Sequence, residues 1–336
     1  MSLAKKSCAL WIGVTLAVSL GGLVACSATN GAEEIAPSED VHYGAAANND
    51  SGDKDAKDSD EKNSGKKDSG KKDKGDSTKV GPADSTGTDS LEISRVHLFE
   101  DSLDGLDFIY IPSIEFKRGS IKYGISAYYI ATTEVTQGLY KDVVGSLPDQ
   151  DKEKDSLPVV NVSWYEAVLF CNALSKRVGL DTVYRYKSIG DKNFLEDLEV
   201  DYSVEGIRLP TEMEWELAAH GGEYGSAYYW GTEPASNYAY YGQTKGPTVV
   251  GSKLPNAYGL YDMAGNVAEW VNDWYASYST VDEENPVGPA TGKTKCVRGG
   301  GWADKVAEID PKERDKKDPL YTGVSLGFRI AYSKGF

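Results

Sequence analysis

Between Ser27 and about residue 90 the chain offers almost nothing that a protein interior could bury. The middle of this stretch reads NNDSGDKDAKDSDEKNSGKKDSGKKDKGDSTKV, made almost entirely of Asn, Asp, Ser, Gly, Lys and Ala. Such a segment cannot offset its own conformational entropy, so residues 26–90 are expected to form a disordered tether of mixed charge. At 5–6 Å times √n, a tether of this length reaches about 40–50 Å root-mean-square. Whatever folds must come from residues 91–336, a region long enough for one sizeable core. The formal net charge of −16 argues against a nucleic-acid partner, which needs a basic patch, and the Lys blocks of the tether alternate with Asp.

The N-terminus reads as a secretory signal. Lys5 and Lys6 precede the apolar run ALWIGVTLAVSLGGLVAC, which is short for a spanning helix and interrupted by Gly13, Gly21 and Gly22. Leu23-Val24-Ala25-Cys26 resembles the lipobox of bacterial lipoproteins. The resemblance implies a signal peptide over 1–25, a lipid on Cys26, attachment to a membrane and a place in the cell envelope. Ser27 at the next position is compatible with the outer membrane. The other reading is an ordinary cleaved signal with a chance cysteine. Of the four cysteines, Cys8 leaves with the signal, and Cys171 and Cys296 remain for the folded part. An oxidising compartment permits a disulfide between them, and two reduced buried thiols are the equal alternative.

From about Leu91 the composition changes. LDFIYIPSIEFKRGS (106–120) and ISAYYIATTEV (125–135) have the alternation of strands, and VTQGLYKDVVG (135–145) reads as a short helix closed by Gly145. Two further helices are marked by Ser/Thr-x-x-Glu capping boxes, Ser163 with Glu166 and Thr211 with Glu214. Trp164, Ala167, Val168, Cys171, Leu174 and Val178 make the buried stripe of the first, and Gly221-Gly222 end the second. YRYKSIGDKNFLEDLEVDYSVEGIRL between them reads as a hairpin or an inserted loop. From Tyr228 onward the chain looks irregular, with short strands in CVRGGGW (296–302) and GFRIAY (327–332).

Taken in order, IPSIEF, YYIATTEVTQGLY, LPVVNVSWYEAVLFCNALS, GIRLPTEMEWELAAHGG, VGSKLPNAYGLYDMAGNVAEWVNDWY, VRGGGW and GFRIA resemble the formylglycine-generating enzyme, or sulfatase-modifying factor, family over about 105–333. The resemblance implies an α+β fold, a variant of the C-type lectin fold with little regular secondary structure, as a single domain after the tether. The family's founding activity oxidises a peptide cysteine to formylglycine with molecular oxygen and a copper(I) ion held by two cysteines, soft ligands suited to that metal. Along RGGGWADKVAEI the two cysteine positions fall on Asp304 and Ile309, so copper is not expected. A second branch of the family uses iron on a histidine cluster. This chain has three histidines, His42, His97 and His220, of which His42 lies in the tether, and His220 reads as a helix C-terminal histidine favoured by the helix dipole.

The segment YGLYDMAGNVAEW (258–270) sets two acids around two glycines and an asparagine. It is read either as a hydrogen-bonded Asx turn or as a cation site. The resemblance implies a structural calcium held by the Asp262 side chain, the Gly265 and Val267 carbonyls and the Glu269 side chain. A second family calcium site, near Asn237 and Tyr238, lacks its partner loop. The tyrosines Tyr228, Tyr229, Tyr238, Tyr240 and Tyr241 are read as loop packing or as an aromatic groove for a peptide or sugar, and Arg298 and Arg329 as structural ion pairs. The expected function is an envelope lipoprotein displaying a non-catalytic domain that binds a protein, peptide or glycan. The alternatives are an oxidoreductase of the formylglycine-generating type, an enzyme using Asp304 with Tyr321 or Arg298 in the same cleft, or an architectural envelope protein. Ligand identity and oligomeric state are not encoded in any pattern found.

Overall fold

The computed structural model describes residues 94–98, 106–222, 224 and 226–336. The signal segment, Cys26 and the tether lie outside the described residues. Along the chain run β1 (Ser94–Val96), β2 (Phe108–Ile111), β3 (Ile114–Arg118), β4 (Ile121–Ile125), β5 (Tyr128–Ala131), α1 (Gln137–Val144) and α2 (Trp164–Arg177). Four two-residue strands follow, β6 (Tyr184–Arg185), β7 (Ser188–Ile189), β8 (Leu195–Glu196) and β9 (Glu199–Val200), and then β10 (Gly206–Arg208), α3 (Glu212–His220) and the single turn α4 (Ala235–Tyr238). The rest comprises β11 (Ala268–Trp274), β12 (Glu283–Glu284), β13 (Lys295–Arg298), β14 (Asp315–Lys317), β15 (Leu326–Phe328) and β16 (Ala331–Ser333). Much of the chain between these elements is turn and loop.

Three sheets organise the fold. An antiparallel sheet of order β1-β2-β5-β16-β10 places the last strand between β5 and β10, with Ala331 opposite Ile130 and Ile207 opposite Tyr332. A second sheet runs β14-β13-β11-β15, with β11 antiparallel to β13 and parallel to β15. The third is β12-β4-β3. Strands β6 to β9 form a nested pair of short ladders, the hairpin alternative for that segment.

The helix ends are built as their sequences require. Both capping boxes are made reciprocally, Ser163 with Glu166 and Thr211 with Glu214, which satisfies the first free amides of α2 and α3. Gly145 closes α1 in the left-handed region at φ 91°. Helix α2 buries Trp164, Phe170 and Cys171 in a core with Tyr140, Trp270 and Phe328. Helix α3 supplies Trp215 to a second core with Phe116, Tyr123, Met263, Val271 and Ile309. Two indoles tie α2 to the β11 region, Trp164 Nε1 donating to the Val271 carbonyl at 2.9 Å and Trp270 Nε1 to Val162 at 2.8 Å.

Strand β11, at seven residues, is among the elements that sequence reasoning missed. AEWVNDW is buried along both faces, so it shows no alternation of apolar and polar residues and reads as part of the preceding turn.

Candidate functional site

The turn before β11 is held by backbone conformations that few residues adopt. Asp262, Gly265 and Asn266 lie at φ 55°, 79° and 56°. A Cβ at Gly265 would meet the Tyr240 carbonyl oxygen at 2.5 Å, so only glycine fits. The glycine-rich turn after β13 is strapped to it: Gly265 N donates to the Gly299 carbonyl at 2.9 Å and Trp302 N to the Asn266 carbonyl at 2.7 Å.

The acids of the turn divide into two environments. Glu269 is engaged on both oxygens by Arg329, at 2.7 Å from Nε and 2.7 Å from Nη2, and also accepts from Trp215 Nε1 at 2.7 Å. Asp262 accepts from the Gly251 amide through Oδ2 at 2.6 Å, and its buried Oδ1 has no partner. Glu134, at the end of the β5 segment, accepts from Asn266 Nδ2 at 3.0 Å and leaves Oε2 buried without a partner. Burial first, and the Asp262 charge second, hold the Glu134 carboxyl well above its ordinary range; burial likewise raises Asp262. Sequence reasoning did not include Glu134, which sits in an apolar strand-like stretch with no local signal of its role.

These oxygens decide how a calcium ion would be met. The orphaned Asp262 Oδ1 and Glu134 Oε2 are hard, buried donors of the kind that ion takes. Glu269 is already neutralised by a guanidinium that spans it. The residues therefore fit a cation at Asp262 and Glu134, with Gly265 and Val267 on the same turn, better than at Glu269. Among the described residues no group of three or more His, Cys, Asp or Glu side chains converges as a metal site, so backbone carbonyls would have to complete the shell.

On the far side of the glycine-rich turn, Asp304 and Ile309 occupy very different places. Asp304 is half-buried and its Oδ2 accepts from the Gly301 amide at 2.8 Å. Ile309 ends a 3-10 turn (Val306–Ile309) and is fully buried in the α3 core. A Cβ at Gly300 would strike Glu308 O and Ile309 Cγ2, each at 2.8 Å, which is why this turn needs glycine. A cavity of about 260 Å³ opens here, walled by Arg298, Asp304, Glu308, Glu313, Arg314 and Asp315 among others. In the segments that follow this turn, Val306, Leu320, Tyr321 and Val324 are exposed. Tyr228 donates to the Val306 carbonyl at 2.9 Å, and Trp302 Nε1 to Val324 at 3.2 Å.

Arg298 is a structural ion pair, as is Arg329. Its guanidinium is fully buried, 3.1 Å from Glu212 Oε1 and 2.7 Å from Glu216 Oε2, with the Pro311 carbonyl at 2.6 Å. Arg314 meets Glu212 at 2.5 Å and Arg118 meets Glu216 at 3.0 Å. This three-arginine, two-glutamate cluster was not foreseen; its signal is the i, i+4 pair Glu212 and Glu216 on a helix buried along its whole length. Both Nη atoms of Arg298 are engaged, and its Nε is buried without a partner.

Cys171 and Cys296 are both free and buried, which resolves the open choice between a disulfide and reduced thiols. They lie in different cores, and burial pushes both thiols up from their ordinary range. His220 is buried at the end of α3 with Nδ1 unpartnered, and burial lowers its pKa, so desolvation outweighs the helix-dipole effect expected there. Of the tyrosine cluster, Tyr229 is buried and Tyr228, Tyr238 and Tyr241 pack against the α3 core, with Tyr228 stacked on Trp230 at 4.5 Å.

An α+β domain of short twisted strands and long packed loops, with the GNVAEW turn strapped to a glycine-rich turn, defines a class of fold. Within it, the chain belongs to the sulfatase-modifying factor enzyme 1-like domain family, which matches residues 107–334. It is 29% identical to the chaperone protein LppX of Paenibacillus barcinonensis over 261 residues, 68% of this chain and 90% of that protein. It is 30% identical to the formylglycine-generating enzyme of Mus musculus over 193 residues, which span 52% of this chain and only 44% of the enzyme. Among solved structures, Treponema denticola variable protein 1 superposes with a TM-score of 0.61 at 32% identity, covering 71% of this chain and 98% of that one.

Proposed function

We propose that the chain is a cell-envelope lipoprotein, anchored through Cys26, that displays a non-catalytic domain of this family for binding a protein, peptide or glycan partner. The observation that carries the reading is the pair Asp304 and Ile309. At the positions of the family's copper thiolates stand a carboxylate engaged with a backbone amide and an aliphatic side chain sunk in the core. Neither supplies a soft ligand. The two cysteines of the domain are buried in separate cores, and burial raises both thiols. The family match nonetheless spans residues 107–334, which favours use of the surface over use of a metal.

The surface we assign to a partner carries the exposed apolar side chains Val306, Leu320, Tyr321 and Val324, from the segments that follow the glycine-rich turn. The name of the Paenibacillus relative, a chaperone protein, is in keeping with a domain that handles another polypeptide. Peptide and glycan arrays probed with the full chain test the proposal. Binding that weakens in Tyr321→Ala and Val324→Asp supports it, and binding unaffected by both, or none on either array, counts against it. A structural calcium at the 262–269 turn belongs to the same proposal, as a stiffener of the loops, with Asp262 and Glu134 as its carboxylates.

A further inference from the structure

A cavity of about 240 Å³ lies between the end of β3, the second half of α3 and the segment before β14, and it shares no lining residue with the cavity beside Asp304. Its charged walls are Lys117, Arg118 and Lys312, against the one acid Glu216. That acid is already matched. Its Oε1 accepts from Arg118 Nε at 3.0 Å, and its Oε2 from Arg298 Nη2 at 2.7 Å and the Tyr278 hydroxyl at 3.0 Å. The cations are less fully used. Among the described residues Lys117 is exposed and without an ion pair, and Lys312 Nζ donates only to the Ser226 carbonyl, at 3.0 Å. Arg118 lies over the Tyr278 ring at 3.8 Å and commits Nε alone among its nitrogens. Asp310, the other acid acting here, caps the Lys312 amide through Oδ1 at 2.9 Å. A pocket with surplus positive charge runs against the trend of a chain whose net charge is −16.

His220 supplies the second, independent observation. It lines the same cavity, is 3% exposed, and holds Nδ1 buried with no hydrogen-bond partner. A buried polar atom left in that state lacks a ligand or a water. The ring lies 5.7 Å from that of Tyr224, which in turn stacks on Phe116 at 5.3 Å, so aromatic faces close the apolar side of the cavity. Cations at the walls and an unused imidazole nitrogen beside them call for an anion rich in hydrogen-bond acceptors. A phosphate monoester, with nearly two negative charges and three acceptor oxygens, matches two ammonium groups and a guanidinium edge better than a carboxylate does.

We propose that this cavity binds the phosphate group of a monoester, with Lys117, Arg118 and Lys312 as its cations and His220 as a hydrogen-bonding group in its wall. The site stands whether or not the Tyr321 surface binds a partner. Isothermal titration of the full chain with glycerol 3-phosphate and with dihexanoyl phosphatidate tests it, with glycerol as the uncharged control. The first probe represents a soluble ester and the second a lipid headgroup, so the source is read from which of them binds. Saturable binding of at least one ester, none of glycerol, and a loss of about tenfold or more in Lys117→Gln combined with Lys312→Gln are expected. Neither lysine is buried, so the double variant is expected to fold. The imidazole NMR signal lost in His220→Gln should move on titration with the ester that binds, while that of His42, among the lysines of the tether, stays in place. No saturable binding of either ester, binding that the double variant leaves unchanged, or movement of the His42 signal without that of His220 overturns the proposal.

Discussion

The Arg329 guanidinium lies along the Glu269 carboxylate, Nε and Nη2 each 2.7 Å from a carboxylate oxygen, with both groups out of solvent. The pair joins the residue after β15 to the start of β11, and Arg329 also donates to the Tyr261 carbonyl at 2.9 Å. Removing one partner strands a buried charge. Arg329→Met is expected to cost about 3–5 kcal/mol in urea unfolding. Arg329→Lys is expected to recover only part of this, because an ammonium cannot match the two-point geometry.

Two glycines make a paired test of the turn. Gly265 has φ 79° and no room for a Cβ against Tyr240, whereas Gly145 has φ 91° and nothing within 4 Å. Gly145→Ala is expected to cost about 1 kcal/mol from backbone strain alone. Gly265→Ala is expected to cost at least about 2 kcal/mol more, because backbone must move. Equal losses in thermal melts of the two variants would contradict the packing described.

Stability should carry a pH signature from the buried Asp273 carboxyl near the end of β11. Burial, and then the Glu212 charge, push Asp273 from 3.8 to about 8, with Glu214 raising it further and Lys295 opposing. Burial lowers Lys295 from 10.5 to about 7, its amine lying 3.8 Å from the ring centres of both Trp164 and Trp274. Between pH 4 and 8 the folded Asp273 holds a proton that the unfolded chain has lost, so its contribution to stability falls as pH rises. Lys295 acts in the opposite sense above pH 7, where the unfolded chain holds the extra proton. The stability of Asp273→Asn relative to the unmodified chain is therefore expected to climb from pH 5 to 8, by at most about 1.4 kcal/mol per pH unit. A difference that is flat across this range would show that Asp273 ionises normally.

Calcium removal gives a separate test. If the orphaned oxygens of Asp262 and Glu134 hold the ion, millimolar calcium raises the melting temperature and EDTA lowers it; at a hundredfold excess over Kd the ion adds about 2.7 kcal/mol. Glu134→Gln should abolish the difference. A melt indifferent to chelator means that the turn is held by its hydrogen bonds alone.

The sequence made some elements legible because their determinants are local. The capping boxes at Ser163 and Thr211 and the closing Gly145 each involve residues within one turn of helix, and each formed as read. The family and its α+β fold were legible from the order of seven motifs. Strand β11 was not, because a strand buried on both faces has no period of two to detect. Neither was Glu134, which meets Asn266 from 132 positions away. The acids Glu212 and Glu216 were visible as helix residues, yet their burial depends on Arg118, Arg298 and Arg314 arriving from β3, β13 and the loop before β14. Pairings of that kind follow from topology and leave no trace in spacing.

The central claim, that this domain has set aside the oxidative chemistry of its relatives, is met most directly by one assay. Purified full chain, loaded with copper(I) and supplied with oxygen, is incubated with a cysteine-containing substrate peptide, and aldehyde is counted by mass spectrometry. If Asp304 and Ile309 stand in the thiolate positions, as we propose, aldehyde should stay at the level of the protein-free control. Repeated turnover of the peptide, dependent on the protein and on copper, would contradict the account.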